Sequence, residues 1–296
     1  MSQTEGLTKQ AAHEAMEIAC GKVDIDATSA ELIRLGSNAV FRLNGKVIVR
    51  IARDKGRFTD AQRQVDVARW LAAEDYPANR ALDVQQPVDA VGYPATFWVS
   101  VSEKEEYATV AQVASIIRDL HELQLPQSLK LEHYRPFAEM AERLAGARSL
   151  SNDDSAFIRE RIEELSNQYD KLRFPLPEGQ IHGDANIGNV ILSRDGHPCL
   201  IDLDNFSIGP REWDLVQTAL FYERFGWHTA DEYRDFVNVY GFDIMAWTGY
   251  ETLASYREIA MTLWLAANDS EEAAAEVHKR VNAIKTGGDR RDWSAF

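Results

Sequence analysis

The sequence predicts an α+β protein of two lobes, a small and mostly antiparallel sheet with one helix over residues 1–101 and a mainly helical half over 102–296. Three observations predict it. Strand-like runs separated by turn signals crowd into the first hundred residues, apolar residues recur at helical spacing from Ser102 onward, and a single strand-and-loop stretch at 180–204 interrupts the helices.

A short helix is expected near residues 8–20. Glu31 to Leu35 reads as a strand, closed by the turn signal Gly36-Ser37-Asn38. Ala39 to Leu43 and Lys46 to Ile51 then flank Asn44-Gly45. That dipeptide between two apolar runs marks a hairpin, because a type I′ turn needs positive φ at both central positions. A helix follows, with Thr59 and Gln62 as a capping box and Val65, Val67, Ala68, Trp70 and Leu71 as its apolar side. Strands are expected at Val84 to Val88 and Ala95 to Val101, with Gly92-Tyr93-Pro94 turning between them. Beyond Ser102, helical periodicity covers 107–125, 136–148 and 154–172. It resumes at 212–225, 230–240, 249–267 and 270–285.

Composition narrows the class of function. The chain has 296 residues with 32 Lys and Arg against 47 Asp and Glu, a net charge of −15. An acidic surface without Lys/Arg clusters argues against nucleic acid as a partner and suits a cationic small molecule. No run is apolar and long enough for a signal peptide or a membrane span, so no membrane partner is expected. Cys20 and Cys199 are far apart and form no CxxC pair, which points to a reduced, cytoplasmic protein without a zinc site or disulfide framework.

The chemistry concentrates in His182-Gly183-Asp184-Ala185-Asn186-Ile187-Gly188-Asn189 and, thirteen residues on, Asp202-Leu203-Asp204. An aspartate, an asparagine five residues later and a second aspartate after an apolar run have the spacing of a phosphoryl-transfer site. Asp184 is the candidate catalytic base, a carboxylate able to orient an alcohol and take its proton. Asn189 and Asp202 offer the hard oxygen donors that magnesium selects, and magnesium needs only one or two from protein. Asp204 either shares the metal face or caps the loop. His182 is read as holding the loop by hydrogen bonds, and His121 as a packed residue of an apolar helix.

For ATP, Arg50 on the third strand is the candidate phosphate ligand, with Gln64 or Asp66 on the following helix as its partner. Ser37 lies in a turn whose backbone N–H groups can wrap phosphate. Trp98 and Ser100 mark the strand end whose backbone can meet the adenine. No Gly-x-x-x-x-Gly-Lys-Ser/Thr loop occurs, which excludes a Walker-type site.

With these residues, the chain resembles the aminoglycoside phosphotransferase and choline kinase family, the small-molecule branch of the protein-kinase-like fold. The resemblance runs from about residue 31 to 267. It rests on His182-Gly183-Asp184 with Asn189, on Leu200 to Asp204, and on Gly209-Pro210-Arg211-Glu212-Trp213-Asp214-Leu215. It implies that Asp214 braces the metal loop. It implies a bilobal kinase, dependent on ATP and Mg2+, that phosphorylates a hydroxyl on a small molecule, an aminoglycoside-like or amino-sugar-like cation being one candidate. Tyr222, Glu223, Trp227, Asp231 and Glu258 are the residues expected to line the acceptor site. Two departures stand out: Arg50 replaces the family's lysine, and Gln64 its helix glutamate. They sustain an alternative, a pseudokinase-type protein that binds nucleotide without turnover.

Overall fold

The computed structural model describes residues 7–36, 38–268 and 270–295. In chain order the elements are α1 (Lys9–Lys22), β1 (Glu31–Leu35), β2 (Asn38–Leu43), β3 (Val47–Ala52), α2 (Phe58–Ala73), β4 (Val88–Ala90), β5 (Tyr93–Val99), α3 (Val110–Glu122), α4 (Met140–Ala145), α5 (Asn152–Tyr169), β6 (Glu178–Ile181), β7 (Val190–Leu192), β8 (Pro198–Leu200), β9 (Ser207–Pro210), α6 (Val216–Glu223), α7 (Ala230–Tyr240), α8 (Tyr250–Ala266) and α9 (Glu271–Thr286). They group into two compact units. The first comprises the chain up to Ala108 with Glu122–Leu131 and Ile187–Phe206; the second comprises Thr109–His121, Glu132–Asn186 and the chain from Ser207 onward.

In the first unit, five antiparallel strands run in the order β1-β2-β3-β5-β4. Strand alternation sends Ala39, Phe41, Leu43, Val49 and Ile51 to one face, where the stripe Ala12, Ala15, Met16, Ala19 and Cys20 of α1 meets them. The same alternation turns Arg50 to the opposite face. Asn44 and Gly45 have φ of +47° and +64°, and Lys46 N–H bonds back to Leu43 O at 3.0 Å, the turn that the dipeptide predicts.

Three local expectations shift. The helix α2 opens at Phe58 with Arg57 as its cap and no side-chain capping bond, so Thr59 lies inside the first turn. Gln62 instead donates to Asp66 at 2.8 Å. The strand expected from Val84 begins only at Val88, since Pro87 has no N–H to give a ladder. The Gln86 side chain substitutes for a rung, accepting from Phe97 N–H at 2.7 Å and donating to Phe97 O at 3.2 Å. Finally the turn sits at Val91-Gly92, both at positive φ, and Tyr93 and Pro94 belong to β5.

The hairpin β7–β8 joins this unit through the main chain. Leu200 N–H bonds to Pro77 O and Asn79 N–H to Leu200 O, while Ala108 N–H reaches Val190 O and Leu192 N–H reaches Glu106 O. Cys20 and Cys199 are both buried, and burial pushes their thiols up to about 11 and about 12.

The second unit is built on α8, whose residues are buried nearly all round, as a helix at the centre of a bundle must be. It packs against α4, α5, α6 and α9. Ser151, Thr229 and Ser270 cap α5, α7 and α9, with a full capping box of Thr229 and Glu232 on α7. An aromatic cluster of Tyr134, Phe137, Tyr169, Trp213 and Tyr256 fills the space beside α8. The pair β6–β9 carries the chain into the loop at His182. Among the described residues no helix is long and apolar enough to cross a membrane.

Candidate active site

The predicted site residues fall in both units, and each group has its own geometry. In the second unit, β6 ends at Ile181 and the chain turns through His182, Gly183 and Asp184. Gly183 has φ of +80°, a conformation that suits glycine. The turn is held by Asp214, fully buried in the short 3-10 helix after β9. Asp214 Oδ2 accepts from His182 N–H at 2.8 Å and Oδ1 from Gly183 N–H at 2.8 Å. His121 Nε2 is 3.0 Å from Oδ2, and its Nδ1 is 2.9 Å from the Tyr240 hydroxyl. Burial pushes the Asp214 carboxyl up, but the His121 bond, both histidines and the His182 amide outweigh it and hold it below its ordinary value. Asp214 therefore grips the turn that leads into Asp184. His121, expected as a packed residue, is a member of this network.

Asp184 keeps 35% of its side-chain surface exposed. Arg257 Nη1 lies 3.6 Å from its carboxylate, while Nη2 donates to Gly183 O at 2.6 Å. Asn186 Nδ2 donates to Asp184 O at 2.9 Å. Arg257 was not anticipated from sequence. Its signal was the charged pair Arg257-Glu258 inside the apolar run of α8, which a buried helix tolerates only when both charges are paired.

In the first unit, the end of β8 brings the chain before Asp202 alongside Asn189. Ile201 N–H bonds to Asn189 O at 2.9 Å, which places Asn189 next to the residue before Asp202. Asp202 has φ of +63° and ψ of 66°, a left-handed conformation uncommon for a non-glycine residue and typical of functional turns. Among the described residues no three His, Cys, Asp or Glu side chains cluster as a metal site. An amide oxygen and a carboxylate nonetheless fit magnesium, whose remaining ligands are water and phosphate.

Arg50 reaches these acids directly. Its Nη2 lies 2.8 and 3.0 Å from the two Asp204 oxygens and 3.3 Å from Asp202 Oδ1. Burial lowers the guanidinium pKa, and Asp204 and Asp202 more than reverse that. Burial and the Asp202 charge push the Asp204 carboxyl up in spite of Arg50. Asn38 Nδ2 is 3.4 Å from Asp204 Oδ2, and Arg63 Nη2 donates to Asp204 O at 3.2 Å. The expected partners on α2 are not used. No hydrogen bond or ion pair joins Arg50 to Gln64 or Asp66, and Asp66 is taken by Gln62. Arg63, one residue before Gln64, is the helix's link to the cluster.

The other nucleotide positions divide. Ser37 lies outside the described residues. Trp98 is a core residue, its indole N–H on Thr96 Oγ1 at 2.9 Å. Val99 N–H bonds to Arg80 O and Ser100 N–H to Lys46 O, both at 2.8 Å, so these two amides serve the fold.

The predicted acceptor residues differ widely in burial and in what they contact. Glu258 is 2% exposed and sits between Arg224 and Arg290, each at 2.9 Å. Glu223 joins that network, 3.3 Å from Arg224 and accepting from the Tyr250 hydroxyl at 3.3 Å. Tyr222 stacks on Tyr233 at 4.9 Å. Trp227 donates to Trp293 O at 3.3 Å and packs on Phe221 and Phe225. Asp231 opens α7 and is 79% exposed beside Arg234. Desolvation explains the pattern: a buried carboxylate persists only when cations neutralise it.

A family model of phosphotransferase enzymes (APH) matches residues 30–276 of this sequence. The chain belongs to the phosphotransferase enzyme family. Its protein-kinase-like fold is shared with solved structures of low sequence identity. An amicoumacin kinase, hAmiN, in complex with AMP-PNP, Ca2+ and Ami is 15% identical with a TM-score of 0.69, covering 91% of both chains. The aminoglycoside phosphotransferase APH(2")-IIIa, in a complex with GDP and kanamycin, is 13% identical with a TM-score of 0.66, over 92% of this chain and 98% of that one. The choline kinase LicA from Streptococcus pneumoniae is 16% identical with a TM-score of 0.63, over 92% and 99%. No curated protein sequence matches this phosphotransferase.

Proposed function

We propose that this phosphotransferase is a kinase dependent on ATP and Mg2+ that transfers the γ-phosphate to a hydroxyl of a small molecule, with a cationic, aminoglycoside-like or amino-sugar-like acceptor as the class to screen first. The observation that carries the reading is the main-chain bond from Ile201 N–H to Asn189 O, which sets Asn189 beside the segment leading into the left-handed Asp202. Metal nucleotide, when bound, supplies the phosphoryl group and neutralises its charge. Asn189 and Asp202 would hold the metal. Arg50, whose planar fork suits oxyanions, would hold phosphate. Asp184 orients the acceptor hydroxyl and takes its proton, with the Asp214 bonds fixing the turn beneath it. The net charge of −15 favours approach of a cationic acceptor.

One feature favours the second reading, a nucleotide-binding protein without turnover: Arg50 has no acid on α2 and rests on the site's own aspartates. Calorimetric titration of ATP with and without Mg2+ tests the proposal before any acceptor is known. Magnesium-dependent binding that Asp202→Asn abolishes is the expected result. Binding indifferent to magnesium and to Asp202→Asn would leave a nucleotide-binding protein, and no binding in either condition would overturn both readings.

A further inference from the structure

We propose that Arg50 acts as a resident cation on the metal-binding acids, occupying in the nucleotide-free protein the charge position that a divalent ion must share or take. The inference rests on the reading of Asn189 and Asp202 as metal donors. It concerns a different property, the competition between the protein's own cation and the metal.

The geometry is specific. A single nitrogen, Arg50 Nη2, is within 3.3 Å of Asp202 Oδ1 and within 3.0 Å of both Asp204 oxygens. It bridges the two carboxylates as a small ion would. Arg50 is 11% exposed, so the pairing is poorly screened by solvent and salt. Nothing on α2 draws the guanidinium away. Asp60 pairs with Arg57 and Arg63, and Asp66 with Gln62. A lysine or arginine on this strand with a helix carboxylate for company would leave the aspartates free. Here the aspartates are its company.

Other polar contacts fix the acids in that arrangement. Asn38 and Arg63 bind Asp204 from two more elements, holding its carboxylate and its carbonyl. The site is therefore preassembled around a monovalent organic cation. Entry of a divalent ion on Asp202 brings two like charges to within a few ångströms. Arg50 then has to leave for an incoming oxyanion, and nucleotide phosphate is the available one. Metal alone binds weakly for this reason, and metal with nucleotide binds well.

The test measures Mn2+ binding directly, from the free-ion electron paramagnetic resonance signal, on the full chain without nucleotide. Wild type, Arg50→Lys, Arg50→Met and Arg50→Met with Asp202→Asn are compared, with circular dichroism confirming the fold. Removing one charge at this range is expected to tighten Mn2+ binding about tenfold in Arg50→Met. Arg50→Lys, which keeps the charge but cannot bridge both acids in the same way, should fall between, and it serves if the Met variant does not fold. The Asp202→Asn change should remove the gain. Adding AMP-PNP should tighten Mn2+ binding in wild type far more than in Arg50→Met. Equal or weaker binding in both Arg50 variants overturns the proposal, as does no Mn2+ uptake by any of them. Magnesium-dependent ATP binding by wild type would in that case leave the kinase reading standing.

Discussion

Two aspartates of this molecule, Asp214 and Asp204, solve the same problem in opposite ways. Asp214 is fully buried, and its charge is distributed over two main-chain amides and a histidine. Asp204 is 30% exposed and its charge is answered chiefly by one arginine, which also serves Asp202. The first arrangement is one of fixed donors, and its product is a rigid turn. The second depends on a single long side chain, and by our proposal its charge is one that can be exchanged. The pKa directions follow: Asp214 is held low, whereas Asp204 is pushed up.

The largest expected effect belongs to neither of them but to the group that the rigid turn presents. Asp184→Asn should lower turnover of an identified acceptor by roughly 10²–10⁴-fold with nucleotide binding retained. Steady-state kinetics beside ATP calorimetry would check this, and surviving turnover would remove Asp184 as the base. Asp214→Ala comes next. Stranding two amides and His121 should cost on the order of 3–5 kcal/mol in urea unfolding, while Asp204→Ala, with its partner still near Asp202, should cost clearly less. Equal costs would erase the distinction drawn between the two.

Glu258→Ala extends the contrast to the acceptor candidates. It leaves Arg224 and Arg290 without their buried partner and should destabilise by roughly 2–4 kcal/mol, whereas exposed Asp231→Ala should stay within about 0.5 kcal/mol. The smallest effect is in the pH dependence. Asp214, lowered in the folded state, contributes stability that is present above its unfolded value of 3.8 and lost as pH falls through the lower folded one. Asp204, raised, contributes in the other direction: its share is present below 3.8 and lost as pH rises through the folded value. Urea midpoints between pH 6 and pH 2, about the working range of these carboxylates, should therefore fall less steeply toward acid in Asp214→Asn. In Asp204→Asn they should fall more steeply.

Much of this was legible in the sequence because it is local. The hairpin at Asn44-Gly45 and the helices of the second unit depend on spacing within a few residues. The start of α2 was misread because the helix begins at Phe58 without any side-chain cap, and the place of β4 because the Gln86 side chain does work that the strand pattern was expected to do. The partner of Arg50 was misread for a different reason. Asp202 and Asp204 lie over 150 residues along the chain, and only the fold brings them to β3. Arg257 was hidden by its setting, a charge in an apolar helix whose use appears only when Gly183 O is placed beside it. The acceptor residues were chosen for chemistry alone, and burial decided which of those carboxylates are already spoken for.

The two thiols have a practical consequence. Cys20 and Cys199 are buried and their ionisation is pushed far above neutral pH, so neither offers a thiolate to an alkylating dye. A cysteine introduced on the surface would be the one reactive thiol among the described residues. Placed at Arg53, beside the carbonyl of Gly36, it would carry a fluorophore close to the strand that bears Arg50 without any background substitution. The native chain is already a single-label chassis for watching that strand in solution.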